Sequence, residues 1–161
     1  MATTAKATVG EGSYENPWLY KGTSFTSNDI DDFFGFVYCI TNEQNGREYI
    51  GRKYFWKFRT PRGKKRKVKS ESDWKNYYGS SEELKEEIQQ LGRHNFSRVM
   101  LSLHHTAGKT NFEETRQLFL KGVLTESLSD GTPKYYNSNI LSRYFRKDYY
   151  CLLYTSDAAD E

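Results

Sequence analysis

The stretch Phe36 to Gly51, FVYCITNEQNGREYIG, decides the fold. Phe33 to Ile40 (FFGFVYCI) is aromatic and β-branched, the composition of a buried strand. Asn42 to Gly46 (NEQNG) ends in Asn-Gly, the dipeptide that most readily adopts the positive φ a tight hairpin needs. Arg47 to Phe55 (REYIGRKYF) then reads as the returning strand. Tyr38 and Tyr49 lie 11 residues apart, a spacing that fits two short strands and a turn. Side chains two apart on a strand share a face, so such a hairpin can present several polar groups on one rigid surface.

Further along the chain, periodicity changes from strand to helix. Ser80 to Leu91 is expected to be helical, with Ser80 and Glu83 at capping-box spacing, Leu84, Ile88 and Leu91 on one stripe, and Gly92 as the stop. Phe96 to Leu103 (FSRVMLSL) reads as a third strand. A second helix is expected from Thr110 to about Leu124, with Thr110 and Glu113 as its capping pair and Phe112, Phe119 and Val123 facing the core. Tyr135 to Ile140 (YYNSNI) reads as a short extended segment. The expected class is α/β, a small three-stranded, mainly antiparallel sheet flanked by helices over residues 34–140. Residues 1–33 form a polar N-terminal arm whose isolated rings, Tyr14, Trp18 and Tyr20, pack on that domain. Residues 141–161 hold a basic-aromatic segment, SRYFRKDYY, and then TSDAADE, which reads as a disordered or non-native tail.

Composition narrows the possibilities. A chain of 161 residues with 36% hydrophobic and 16% aromatic residues supports one modest core rich in Tyr and Phe. No apolar run approaches the ~20 residues of a membrane helix, and MATTAKATVG lacks the apolar stretch of a secretory signal. The expectation is an intracellular, cytoplasmic protein with no membrane partner. Cys39 and Cys151 are the only cysteines, which argues against a disulfide framework or a zinc site, and Cys39 reads as a small buried strand residue. Charge is concentrated in one place. Arg52 to Lys69 holds ten Lys and Arg residues and no acid, whereas the rest of the chain has 14 basic and 21 acidic residues. A near-neutral protein with one acid-free basic stretch suits a polyanion contacted at one place.

The order of hairpin, basic insert, helix, strand, helix and Tyr136-Asn137 resembles the GIY-YIG nuclease superfamily, particularly the small phage-type endonucleases related to homing enzymes. The first motif stands as Phe36-Val37-Tyr38 after Gly35, and the second is intact as Tyr49-Ile50-Gly51. Ser80-Ser81 opening a helix, Phe96 starting a strand and a helical Glu complete the match. The resemblance implies a metal-dependent DNA endonuclease that hydrolyses phosphodiester bonds, homing-type or a related phage nuclease, acting in a phage's bacterial host with Mg²⁺ or Mn²⁺. A restriction or repair-type nuclease of the same superfamily is the alternative within the enzyme class. A non-catalytic nucleic-acid-binding module is the alternative outside it.

The resemblance also implies roles. Tyr38 is the candidate general base or its hydrogen-bonded partner, with Arg52, Lys53 or Arg59 expected to favour its phenolate. Tyr49 would orient water or phosphate. Glu114 is the candidate metal ligand, preferred to Glu113 because Glu113 has capping-box spacing; either could be an ordinary solvated helix charge. Asn137 would support the site by bonding nearby backbone, with Asn139 as alternative. The family's catalytic Arg lies on a helix soon after the second motif, where this chain has its basic insert. Arg59 is the first choice by distance, and Arg52 and Lys53 are the alternatives. Arg52, Lys53, Lys57, Arg62, Lys64, Lys65, Arg66, Lys67 and Lys69 are expected to contact DNA phosphates, with Tyr54, Phe55, Trp56 and Phe58 stacking on bases or packing on the hairpin. His94, His104 and His105 show no metal-ligand spacing and read as exposed or packing residues. The 161 residues are expected to leave no room for a separate recognition domain apart from the basic insert and the SRYFRKDYY segment, so sequence specificity is expected to be low or supplied by a partner.

Overall fold

The computed structural model describes residues 14–150. The Cys151 and TSDAADE readings, and the first 13 residues of the arm, lie outside that range. In chain order the strands are β1 (Leu19–Tyr20), β2 (Thr23–Ser24), β3 (Gly35–Asn42), β4 (Glu48–Tyr54), β5 (Trp56–Arg59), β6 (Val68–Glu71), β7 (Phe96–His104), β8 (Asn139–Ile140) and β9 (Tyr144–Phe145). The helices are α1 (Glu82–Leu91) and α2 (Ala107–Leu120).

The fold is α/β, but its main sheet has five strands in the order β2-β1-β7-β3-β4, not three. β3 is antiparallel to both β4 and β7, and β1 joins β7 in parallel, so the sheet is mixed. The two additional strands come from the segment expected to be an arm. Each is two residues long and carries no alternation, so its pairing is fixed from outside. Trp18 is fully buried, and its indole donates to the Trp74 carbonyl at 2.7 Å. Arg98 on β7, also buried, donates to the carbonyls of Asn16, Lys75 and Tyr77, which ties the entry segment and the 74–79 segment to the sheet.

The β3–β4 hairpin forms as its sequence predicts, with Gly46 at φ 79° and the Asn42 amide donating to the Arg47 carbonyl. Its two faces serve two cores. Phe36, Tyr38 and Ile40 pack with Trp18, Phe55, Trp74, Leu84, Ile88 and Phe96 on the α1 side. Val37 and Ile50 pack with Leu118, Val123, Tyr135 and Ile140 on the α2 side. Much of the basic insert is a ribbon in which β5 pairs with β6 antiparallel, Arg59 opposite Val68 and Trp56 opposite Glu71.

Both helices start away from the expected caps. Ser81, not Ser80, caps α1, its side chain accepting from the Leu84 amide. Thr106, not Thr110, caps α2 and accepts from the Lys109 amide. Of the three residues expected to face the core from the second helix, Phe112 is 70% exposed and Phe119 54%, while Val123, just past the helix end, is buried as expected. Thr110, Glu114 and Leu118, one turn apart from each other, face the sheet instead. Among the described residues no helix is long and apolar enough to cross a membrane.

Candidate active site at the edge of β4

β4 is the outer strand of the sheet, bonded on one side to β3. Its other edge would expose unpaired backbone, and Asn137 covers it. The Asn137 amide accepts from the Ile50 N–H at 3.0 Å and donates to the Ile50 carbonyl at 2.8 Å. One side chain therefore does the work of a neighbouring strand at the centre of the Tyr49-Ile50-Gly51 motif. Glu48 bonds the backbone of Lys134 and Tyr136 just before it. Asn139 instead accepts from Ser142 in the following turn.

Alongside this edge lies a polar cavity of about 260 Å³, walled by Tyr49, Arg52, Ser80, Glu114, Asn137 and Ser138 among others. Two elements reach it from opposite faces of the sheet. On the α1 side, Tyr49 shares a face with Ile40, Tyr38 and Gly51, as the register of the hairpin requires. The Tyr49 hydroxyl and the Ser80 hydroxyl are hydrogen-bonded at 2.8 Å. On the α2 side, Arg52 points toward the helix, and its Nε lies 3.4 Å from Glu114 Oε1.

Tyr38 does not wall this cavity. It is 1% exposed and packs edge-on against Trp18 and Tyr77. Its hydroxyl lies over Gly51, where a Cβ would collide with it and would also come 3.0 Å from the Tyr49 ring. The glycine of the second motif is thus explained by space, because only a residue without a side chain lets the two tyrosines close over the strand.

Burial pushes the Tyr38 hydroxyl well above the ordinary tyrosine value, and nearby Tyr49, Tyr77 and Glu114 push it further. The Tyr49 hydroxyl is also raised by burial, partly offset by its bond to Ser80. This reverses the expectation that neighbouring cations favour the phenolate. The expected cations are engaged elsewhere: Lys53 is bonded to Asp73 at 2.7 Å and lies over the Tyr77 ring, and Arg52 faces Glu114. Arg59 is on β5 in the ribbon.

Glu114 is raised by burial, and Arg52 opposes that shift. Glu113 points elsewhere. Its carboxylate accepts from Arg116 and Gln117, and those bonds hold it down to about 2. The capping argument against Glu113 therefore does not stand, and the face of the helix separates the two acids instead. Among the described residues the cavity is walled by a single acidic side chain, Glu114, and a single basic one, Arg52. Arg59 is not brought to it, and neither are Lys57, Arg62, Lys64, Lys65, Arg66, Lys67 and Lys69, which are exposed on the ribbon and its loop.

The donor set can be weighed against a metal. Among the described residues no three His, Cys, Asp or Glu side chains cluster, and His104 bonds Ser102. One partly buried carboxylate in an open polar cavity suits a hard cation that keeps most of its shell as water and phosphate oxygen, as Mg²⁺ does. It does not suit zinc.

The sequence reading missed Ser80 as a partner of Tyr49, because helix-cap spacing gave that serine another role. A family model described as "Putative endonuclease segE, GIY-YIG domain" matches residues 18–140. No curated protein and no solved structure is detectably similar to the chain. The match spans most of the 161 residues and takes in the hairpin, both helices and the Asn137 clamp, and the chain belongs to the GIY-YIG endonuclease family of the segE type.

Proposed function

We propose that the chain is a Mg²⁺- or Mn²⁺-dependent DNA endonuclease, of the homing type or a related phage type working inside a bacterial host, and that it cuts in the cavity at the β4 edge. The observation that carries this reading is the pairing of Arg52 with Glu114 in that cavity, beside the Tyr49 hydroxyl. Cutting requires water to add to phosphorus, the bridging P–O bond to break, and the leaving oxygen to gain a proton.

Glu114 would hold the cation, which when bound offsets phosphate charge and acidifies a coordinated water. The chain's own side chains do the rest. Arg52 is placed to turn from Glu114 to a non-bridging phosphate oxygen, and its planar fork suits that geometry. Tyr49, held by Ser80, donates to water or phosphate as a neutral phenol. Tyr38 supports it from beneath as a neutral hydrogen-bonding ring, the second of the two roles its motif implies. Asn137 keeps the strand that carries Tyr49 and Arg52 from fraying. The ribbon cations give the DNA its hold on the surface, since none of them makes a salt bridge among the described residues.

The test is conversion of supercoiled plasmid to nicked or linear form. Cutting is expected with Mg²⁺ and is expected to stop with EDTA. Binding without cutting in Mg²⁺ and Mn²⁺ alike would leave a non-catalytic DNA-binding module instead.

A further inference from the structure

We propose that the β5–β6 ribbon enters the major groove of the substrate and reads base edges within about one helical turn of the cut, so that this chain carries its own sequence recognition. The inference rests on the nuclease reading for its substrate, duplex DNA. It goes beyond phosphate contact.

The ribbon has two unlike faces. Directly opposed residues on antiparallel strands share a face, which puts Trp56, Glu71, Phe58 and Lys69 on one side. That side makes contacts within the fold, although Phe58, Lys69 and Glu71 are exposed. Glu71 accepts from the Trp74 indole and from Ser27, both at 2.7 Å, Phe58 stacks on Phe34, and Lys69 lies over the Trp56 ring. The other side carries Lys57, Ser70, Arg59 and Val68, all exposed. Lys57 and Arg59 make no salt bridge among the described residues, and Val68 leaves an apolar side chain 49% exposed, as Phe58 is on the opposite side at 51%.

This is a reading set more than a charge set. An Arg fork suits guanine, a hydroxyl and an ammonium bond to base acceptors, and a valine suits a thymine methyl. Two strands about 4.8 Å apart, with their side chains, fit a major groove about 12 Å wide. Beyond them the loop turns at Gly63, φ 81°, and exposes Lys64, Lys65, Arg66 and Lys67, which suit the phosphate walls on either side.

Chain length sets the reach. Arg59 is seven residues beyond Arg52, so it lies at most about 25 Å away, or about seven base pairs along the duplex. Recognition and cutting are thus confined to one short site.

The experiment separates base reading from charge. Full-length protein in EDTA selects from a pool of random duplexes, and bound DNA is sequenced for wild type, Arg59→Lys and the Lys64→Ala/Lys65→Ala/Arg66→Ala/Lys67→Ala variant. Arg59→Lys keeps the charge at an exposed position and loses only the fork. Wild type is expected to enrich a short motif. Arg59→Lys is expected to lose about tenfold preference at one or more positions while total affinity changes less than about threefold. The loop variant is expected to bind more weakly with the motif kept. A wild type that binds without enriching a motif, or a motif that survives Arg59→Lys unchanged, overturns the inference. Plasmid cutting by such a protein would leave the nuclease reading in place. Absence of any DNA binding would overturn both.

Discussion

The Arg52 guanidinium and the Glu114 carboxylate meet across the open edge of the sheet, 3.4 Å apart, one from the motif strand and one from α2. Arg52 is about 40% exposed and Glu114 about 20%, so the pair lies at the mouth of the cavity, open to a substrate. On the proposed reading, Arg52 takes the part that the family's helical Arg plays. Arg52→Ala is expected to lower the single-turnover rate at saturating DNA by about 10²-fold or more, the effect of removing one preorganised charge stabiliser. Arg59→Ala is expected to show mainly as weaker DNA binding. Measured single-turnover rates and DNA affinities for both variants check this, and a reversed pattern would move the role to the ribbon.

Gly51 is the contact point of the two motif tyrosines. A Cβ there meets the Tyr38 hydroxyl and ring and the Tyr49 ring, all within 3.0 Å. Gly51→Ala is expected to destabilise the fold by about 1–3 kcal/mol, as overpacking does. Adding Tyr38→Phe removes the nearest clashing atom, so the double variant is expected to be more stable than the two single effects added together. Denaturant unfolding of the four proteins in this cycle reads the coupling.

Burial of Glu114 is expected to cost stability in EDTA. Its carboxyl is raised by burial, so the folded state holds its proton to higher pH than the unfolded chain does. Between the ordinary glutamate value and the raised one the native state binds more protons. Stability contributed by this group therefore falls as pH rises through that window and stays lower above it. Glu114→Gln removes the group, and in EDTA at pH 7 it is expected to raise Tm. Thermal melts from pH 4 to 8 measure this, and the gain is expected to shrink toward the acid end.

The acid-free insert predicts a steep salt response. With about six phosphate contacts, log K should fall against log[salt] with a slope of roughly −5. Removing Lys64, Lys65, Arg66 and Lys67 should bring the slope to about −2 if each contacts a phosphate. Titrations between 50 and 300 mM salt read both slopes, and a flat response would take the insert out of DNA binding.

The hairpin was legible because its signals are local: an aromatic and β-branched run before Asn-Gly and the aromatic-containing REYIGRKYF after it fix both strands and the turn. The entry strands were not, because Leu19–Tyr20 and Thr23–Ser24 are held by distant Trp18 and Arg98 contacts that leave no local pattern. The phase of α2 was misread for a more instructive reason. Its sheet-facing stripe contains Thr110 and Glu114, polar residues on the buried side, while Phe112 and Phe119 lie outside. Hydrophobic periodicity fails at the turn where a carboxylate faces the cavity, as it does where a functional site competes with packing, the role proposed for Glu114. Distance along the chain does not tell which of Arg52, Lys53 and Arg59 walls the cavity; Arg52 does. Strand alternation separates Arg52 from Lys53, and the ribbon carries Arg59 away from the site.

The most direct test compares wild type and Glu114→Gln on supercoiled plasmid in Mg²⁺, with both proteins shown to be folded by thermal melts. The site described at the β4 edge predicts that wild type nicks or linearises the plasmid and that Glu114→Gln is slower by at least about 10²-fold despite its higher Tm in EDTA. Equal cutting by both proteins, or cutting by neither, would contradict it.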